Sequence, residues 1–155
     1  MHGKVFKDSI EISVSRELKL FVRSMAASYQ FIFQHENADF VQRAMMIDLV
    51  DRNGVGMLAE RFATQREGEK MELSKQELYL FYTMMELVCR SFLSDVGDEF
   101  KSVAMKVNKV DEEKYNEVRN MELKIAQTLL QQIRRDFMED QEFEEICDRL
   151  DLLDQ

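Results

Sequence analysis

Not one proline occurs among the 155 residues of this chain, and only five residues are glycine. Average usage of about 5% proline and 7% glycine would give about eight and eleven. Sandwiches, barrels and α/β folds need both residues to turn the chain between strands, whereas a helix interior rejects them. The sequence therefore predicts an all-α fold. A chain of this length suits a single helical domain over 1–155 and buries about 70% of its unfolded surface, so neither disulfide nor metal is needed to hold it.

Apolar periodicity supports five or six helices in a compact bundle. Leu18, Phe21, Val22, Met25, Tyr29, Ile32 and Phe33 recur at helical spacing and place a helix near 16–35. A second, over 38–52, carries Phe40, Val41, Ala44, Met45 and Ile47 behind Asn37 as N-cap. Asn53-Gly54-Val55-Gly56 reads as a break, with a short helix near Met57–Thr64 and a polar loop from Arg66 to Lys70. Ser74-Lys75-Gln76-Glu77 is a capping box that opens a helix running to about Val96 along Leu78, Phe81, Tyr82, Met85, Val88, Cys89 and Phe92. A further helix holds Phe100, Val103, Ala104 and Val107. Asp111, Glu112 and Glu113 start a long one through Tyr115, Val118, Met121, Ile125, Leu129, Ile133 and Phe137. Residues 1–15 are expected to be extended or a frayed leader, although Ile10, Ile12 and Val14 alternate with polar residues as in a strand.

Residues 17–51 align with 77–111 at an offset of 60. Glu17/Glu77, Leu18/Leu78, Leu20/Leu80, Phe21/Phe81 and Met25/Met85 match, and so do Phe40/Phe100, Ala44/Ala104, Met45/Met105, Val50/Val110 and Asp51/Asp111. Composition alone would match about two or three pairs. Two related helical hairpins plus a C-terminal helix pair is the arrangement these matches describe.

The C-terminal segment 137–155 is an acidic amphipathic helix. Residues 136–155 hold nine acids against one base, Arg149, which is −8 of the chain's net −9. Phe143, Ile146, Cys147, Leu150 and Leu153 form one stripe, with Glu144, Glu145 and Asp148 among the charges beside it. Such a helix either closes its own bundle or docks on a partner. Phe143, Ile146, Leu150, Leu153, Glu144, Glu145 and Asp148 are thus the candidate partner-binding residues. Arg16, Lys19 and Arg23, along one face of the first helix, are a candidate basic counterpart within the molecule. Leu20, Phe31, Leu80, Leu87, Leu93 and Leu130 lie off the main stripes, a surplus that marks either central helices or an interface. Eleven methionines, among them Met45, Met46, Met84, Met85, Met105 and Met121, either fill an irregular core or line an adaptable groove.

Little in the sequence points to chemistry. No nucleophile elbow, phosphate-binding loop, zinc-protease helix or dinucleotide fingerprint occurs, so no catalytic residue and no cofactor is assigned. The two histidines, His2 and His35, are too few for a carboxylate-bridged metal centre in a bundle. Asp51, Asn53, Gly56 and Leu58 match an EF-hand loop in part. Val55 and Phe62 stand where oxygen ligands belong, so no metal site is assigned. The strand-then-helix from Ile10 to Met25 faintly resembles a ribbon-helix-helix DNA-binding module, which would offer Glu11, Ser13 and Ser15 to the major groove. The acid on that face and the overall charge argue against nucleic acid. Cys89 and Cys147 form no CxxC pair, no secretory leader is visible and no apolar run is long enough to span a membrane. The expectation is a cytoplasmic, non-catalytic adaptor or regulatory protein acting through protein contacts, self-association included. The alternatives are a DNA-binding regulator, or a carrier of a small apolar ligand between helices.

Overall fold

The computed structural model describes residues 9–34, 50–93, 101–102, 105–106 and 109–151, apart from the side chains of 31–32 and 91–93. Within them the chain is mostly helical with one small sheet: β1 (Ser9–Ser13), α1 (Arg16–Gln34), α2 (Arg52–Thr64), β2 (Lys70–Ser74), α3 (Lys75–Leu93), α4 (Glu112–Phe137) and α5 (Gln141–Asp151). The helix expected over 38–52 and the one around Phe100–Val107 fall largely outside the described residues, as do His2 and His35.

All five helices start on a side chain that accepts a hydrogen bond from a backbone N–H of the first turn. Ser15 Oγ takes Leu18 N–H, the Asp51 carboxylate takes Asn53 N–H, and Asp111 takes Lys114 N–H at 2.8 Å. Asp140 takes Phe143 N–H at 3.0 Å. The capping box at Ser74 forms in full, with Glu77 N–H donating to Ser74 Oγ and Ser74 N–H donating to Glu77 Oε1. Short polar caps do here what proline and glycine do in other chains.

Two expectations are corrected. The fold is not purely helical: residues 9–13 of the leader, expected to be extended or frayed, are extended as β1, which pairs antiparallel with β2, with Ser9 opposite Ser74 and Ile12 opposite Met71. Ile12, Met71 and Leu73 point into the core, while Glu11, Ser13, Lys70 and Glu72 face water. β2 is only five residues long and runs directly into the capping box, so its alternation is too short to stand out. Gly68, at φ +84° in the turn before β2, adopts a conformation that a side chain would strain. The second correction concerns Asn53–Gly56, which is no break but the first turns of α2, and that leaves no loop to wrap a cation.

The offset of 60 recurs in the elements. It carries β1–α1 onto β2–α3 to within one residue at each end. Leu18, Phe21 and Met25 are buried, as are Leu78, Phe81 and Met85, and the Phe21 and Phe81 rings meet at 6.3 Å. Asp51 and Asp111 cap α2 and α4.

α3 is the centre of the molecule and packs against α2, α4, α5 and both strands. Leu78, Tyr79, Phe81, Tyr82, Thr83, Met84, Met85, Glu86, Leu87 and Val88 are all buried, so it is enclosed around its whole circumference. This accounts for Leu87 off the main stripe. On α4 the buried face runs through Tyr115, Glu122, Ala126, Leu130, Ile133 and Phe137, and the expected Val118, Met121, Ile125 and Leu129 are half-buried. Contact with both α1 and α3 turns the face away from the most apolar stripe. Met25, Met71, Met84 and Met85 fill the core.

The two helical glycines differ in their surroundings. A Cβ at Gly54 would lie 2.7 Å from Leu80 Cδ2, whereas at Gly56 the nearest atom would be Gln30 Nε2 at 3.8 Å. Gly56→Ala is expected to stabilise the fold by about 0.5–1 kcal/mol, and Gly54→Ala to give no gain or a loss. Urea denaturation of both variants checks this.

Candidate functional site

The acidic C-terminal helix is built into its own bundle. Phe143 is buried between Tyr79 and Tyr82, with ring centroids at 5.5 and 4.8 Å, and Leu150 is buried nearby. Ile146 and Cys147 are half-buried against the same core. Of the residues expected to bind a partner, Phe143, Ile146 and Leu150 therefore serve the fold, and Glu144, Glu145 and Asp148 remain as an exposed acidic face. Leu153 lies outside the described residues. Among the described residues, the expected counterparts Arg16, Lys19 and Arg23 make no ion pair with this helix.

Its basic partners lie on α3 instead. Lys75 pairs with Asp140 at the start of α5. Burial pushes the Asp140 carboxyl up, but the Lys75 ammonium and the Phe143 N–H outweigh it and hold the group below its ordinary range. Arg90 donates Nη1 to the Leu150 carbonyl at 2.7 Å and lies 3.6 Å from Asp151, which ties down the last turn. Arg90 also pairs with buried Glu86 at 3.2 Å. The other Glu86 oxygen takes Arg134 of α4, whose Nε donates to the Tyr82 hydroxyl at 2.8 Å. Glu86 is thus a buried carboxylate held by two guanidinium groups, and removing either would leave part of its charge unpaired.

A second open feature lies elsewhere. α1 and α2 run antiparallel, since Lys19 Nζ donates to the Gln65 carbonyl at 2.6 Å while Gly56 faces Gln30 at the opposite end. A groove with a cavity of about 580 Å³ runs between them. Ala26, Ala27, Ala59, Ala63 and Phe62 make its floor. The α1 lip carries Arg16, Lys19, Leu20 and Arg23, and the opposite lip Glu60 and Glu67. Among the described residues Arg16, Arg23, Glu60 and Glu67 make no ion pair. Leu20 is 44% exposed, so this member of the off-stripe surplus belongs to the surface. A smaller cavity of about 210 Å³ separates α3 from α5, between Tyr79, Thr83, Ile146 and Arg149.

Glu122 is a second buried acid that sequence periodicity missed. It is 7% exposed on α4, and burial raises its carboxyl to about 7, against the partly offsetting hydrogen bond from Ser24 of α1. Burial also pushes the Cys89 thiol up to about 11 and the Cys147 thiol in the same direction, which disfavours thiolates at both positions. Among the described residues, no group of three or more His, Cys, Asp or Glu could hold a metal ion, and no helix is long and apolar enough to cross a membrane. On the outer face of the sheet Glu11 stands opposite Glu72 and lies 3.6 Å from Lys70.

No known family model, characterised protein or solved structure matches this chain.

Two outcomes follow. Phe143→Ala is expected to cost about 3–5 kcal/mol in chemical denaturation, as for other core aromatics. Glu122 binds a proton more tightly in the folded chain than in the unfolded one. Its contribution to stability is therefore fully present below about pH 4.5 and is lost as pH rises through about 7. Glu122→Gln keeps an acceptor for Ser24 and removes that loss. Its stability relative to wild type is expected to rise between pH 5 and 8 by up to about 3 kcal/mol, read from paired urea curves. A pH-independent difference would rule out a desolvated carboxyl.

Proposed function

We propose that this is a non-catalytic adaptor or regulatory protein of the cytoplasm that acts through protein contacts, and that it consists of two related strand–helix halves closed by the C-terminal helix. The observation that carries the reading is the α1–α2 face, an alanine-floored groove with an exposed leucine and with charges of opposite sign on its two lips, unpaired among the described residues. Charged side chains left without local partners at a concave apolar surface favour a specific protein contact, where complementarity sets orientation and rejects wrong partners. The exposed Glu144, Glu145 and Asp148 offer a second, purely electrostatic surface. The raised thiols and the absence of a metal-ligand cluster among the described residues are compatible with this reading and do not carry it.

A carrier of a small apolar ligand is the second reading, favoured by the groove volume, which falls in the range of small-molecule sites.

The test compares wild type, Ala63→Trp, which fills the groove, and Glu145→Lys/Asp148→Lys, which reverses the acidic face. Each is used as bait for quantitative affinity capture, with melting temperatures measured in parallel. The expected result is at least one protein, a further copy of the chain included, that is retained by wild type and lost from one folded variant. Identical capture by all three folded chains would overturn the reading. A rise in melting temperature with apolar ligands that Ala63→Trp abolishes would favour the carrier instead.

A further inference from the structure

We propose that the partner of the α1–α2 face is the same face of a second copy of this chain, joined about a two-fold axis that lies between α1 and α2 and runs parallel to them. This rests on the adaptor reading above and commits its groove to one occupant.

The α1 lip is cationic through Arg16, Lys19 and Arg23, and the opposite side is anionic through Glu60 of α2 and Glu67 of the turn that follows it. Whatever covers this face must set acids over α1 and bases over α2. The chain itself carries that pattern. Rotation about an axis parallel to the helices lays α1 of each copy over α2 of the other, and an isologous contact of this kind is satisfied twice. A two-fold axis perpendicular to the helices and level with Arg16–Arg23 would lay α1 on α1 and cation on cation, which charge disfavours.

Axial levels agree with the first arrangement. Lys19 is level with Gln65, and Gln30 with Gly56. Interpolating along two antiparallel helices, each rising about 1.5 Å per residue, places Arg23 within a turn of Glu60 and Leu20 within a turn of Ala63. Glu67 lies past the end of α2, in the turn whose Gly68 N–H donates to the Val14 carbonyl at 2.8 Å, beside the start of α1 and Arg16. The rotation preserves level. Arg23 therefore faces the second copy's Glu60, and Arg16 faces its Glu67. Leu20 enters the groove above the alanine floor, a large side chain meeting small ones. Leu20 would then lose its exposure, and the four charges would gain the partners they lack among the described residues.

The face is small. α2 spans about 20 Å and two packed helices about 20 Å across, so the contact lies at the low end of specific interfaces and predicts a weak, concentration-dependent association. The net charge of −9 opposes it further at low salt.

Sedimentation from about 1 μM to 1 mM at physiological salt is the test, since that range brackets an interface of this size. Wild type is expected to form a dimer in a concentration-dependent way. Arg16→Glu/Arg23→Glu and Glu60→Lys/Glu67→Lys each place like charges across both halves of the interface and are expected to stay monomeric. An equimolar mixture of the two variants restores opposite charges at both contacts and is expected to give a heterodimer. Leu20→Asp, at a position 44% exposed, is expected to be monomeric as well, and circular dichroism confirms that each variant is folded. A wild-type chain that stays monomeric throughout overturns the inference while leaving groove-dependent capture of another protein intact. A dimer that survives reversal of either lip, or folded variants that fail to complement each other, overturns it too.

Discussion

The enclosure of α3 on every side is the constraint from which the rest of the architecture follows. A helix that is apolar around its circumference gains stability only when neighbours cover each of its faces, and here two strands, α2, α4 and α5 do so. The aromatic residues show how completely: Phe81 meets Phe21 of α1 and Phe62 of α2, while Tyr79 and Tyr82 hold Phe137 of α4 and Phe143 of α5. The two-stranded sheet matters in this light less as a sheet than as a cover, bringing Ile12, Met71 and Leu73 onto the core from opposite ends of the first half of the chain.

Enclosing a helix brings its polar residues inside with it. Glu86 and Glu122 are both buried, yet they are handled differently. Glu86 is held between Arg90 and Arg134, and that pairing locks α4 and the end of α5 onto α3. Glu122 has Ser24 as its hydrogen-bond partner and is pushed toward the neutral form. One acid thus contributes register and the other a dependence on pH, because desolvation without a cation favours protonation.

The same accounting separates the two charged surfaces. The acids of α5 are the outer face of a helix whose inner face is already used, so they are available without any rearrangement. The α1–α2 groove is apolar at its floor and charged at both lips, and it sits where no described element covers it. Burial of Phe143 and Leu150 moves the centre of interest from the tail to this groove.

Helical class, most helix starts and the core stripes of α1 and α3 were legible in the sequence, since periodicity and capping are local: a hydroxyl or carboxylate at the N-cap needs only its own first turn. The acidic amphipathic tail was legible too. Whether its stripe faced inward was not, because an amphipathic helix has the same sequence on its own core as on another's. Tertiary contact alone decided that β1 would find β2 sixty residues away, that Asn53–Gly56 would be helical against Leu80, and that the buried face of α4 would centre on Glu122. The α1–α2 groove belongs to that second group. Arg16, Lys19 and Arg23 were visible as a basic face, but Glu60 and Glu67 lie some forty residues further on, and only the antiparallel packing of two helices sets them across from one another.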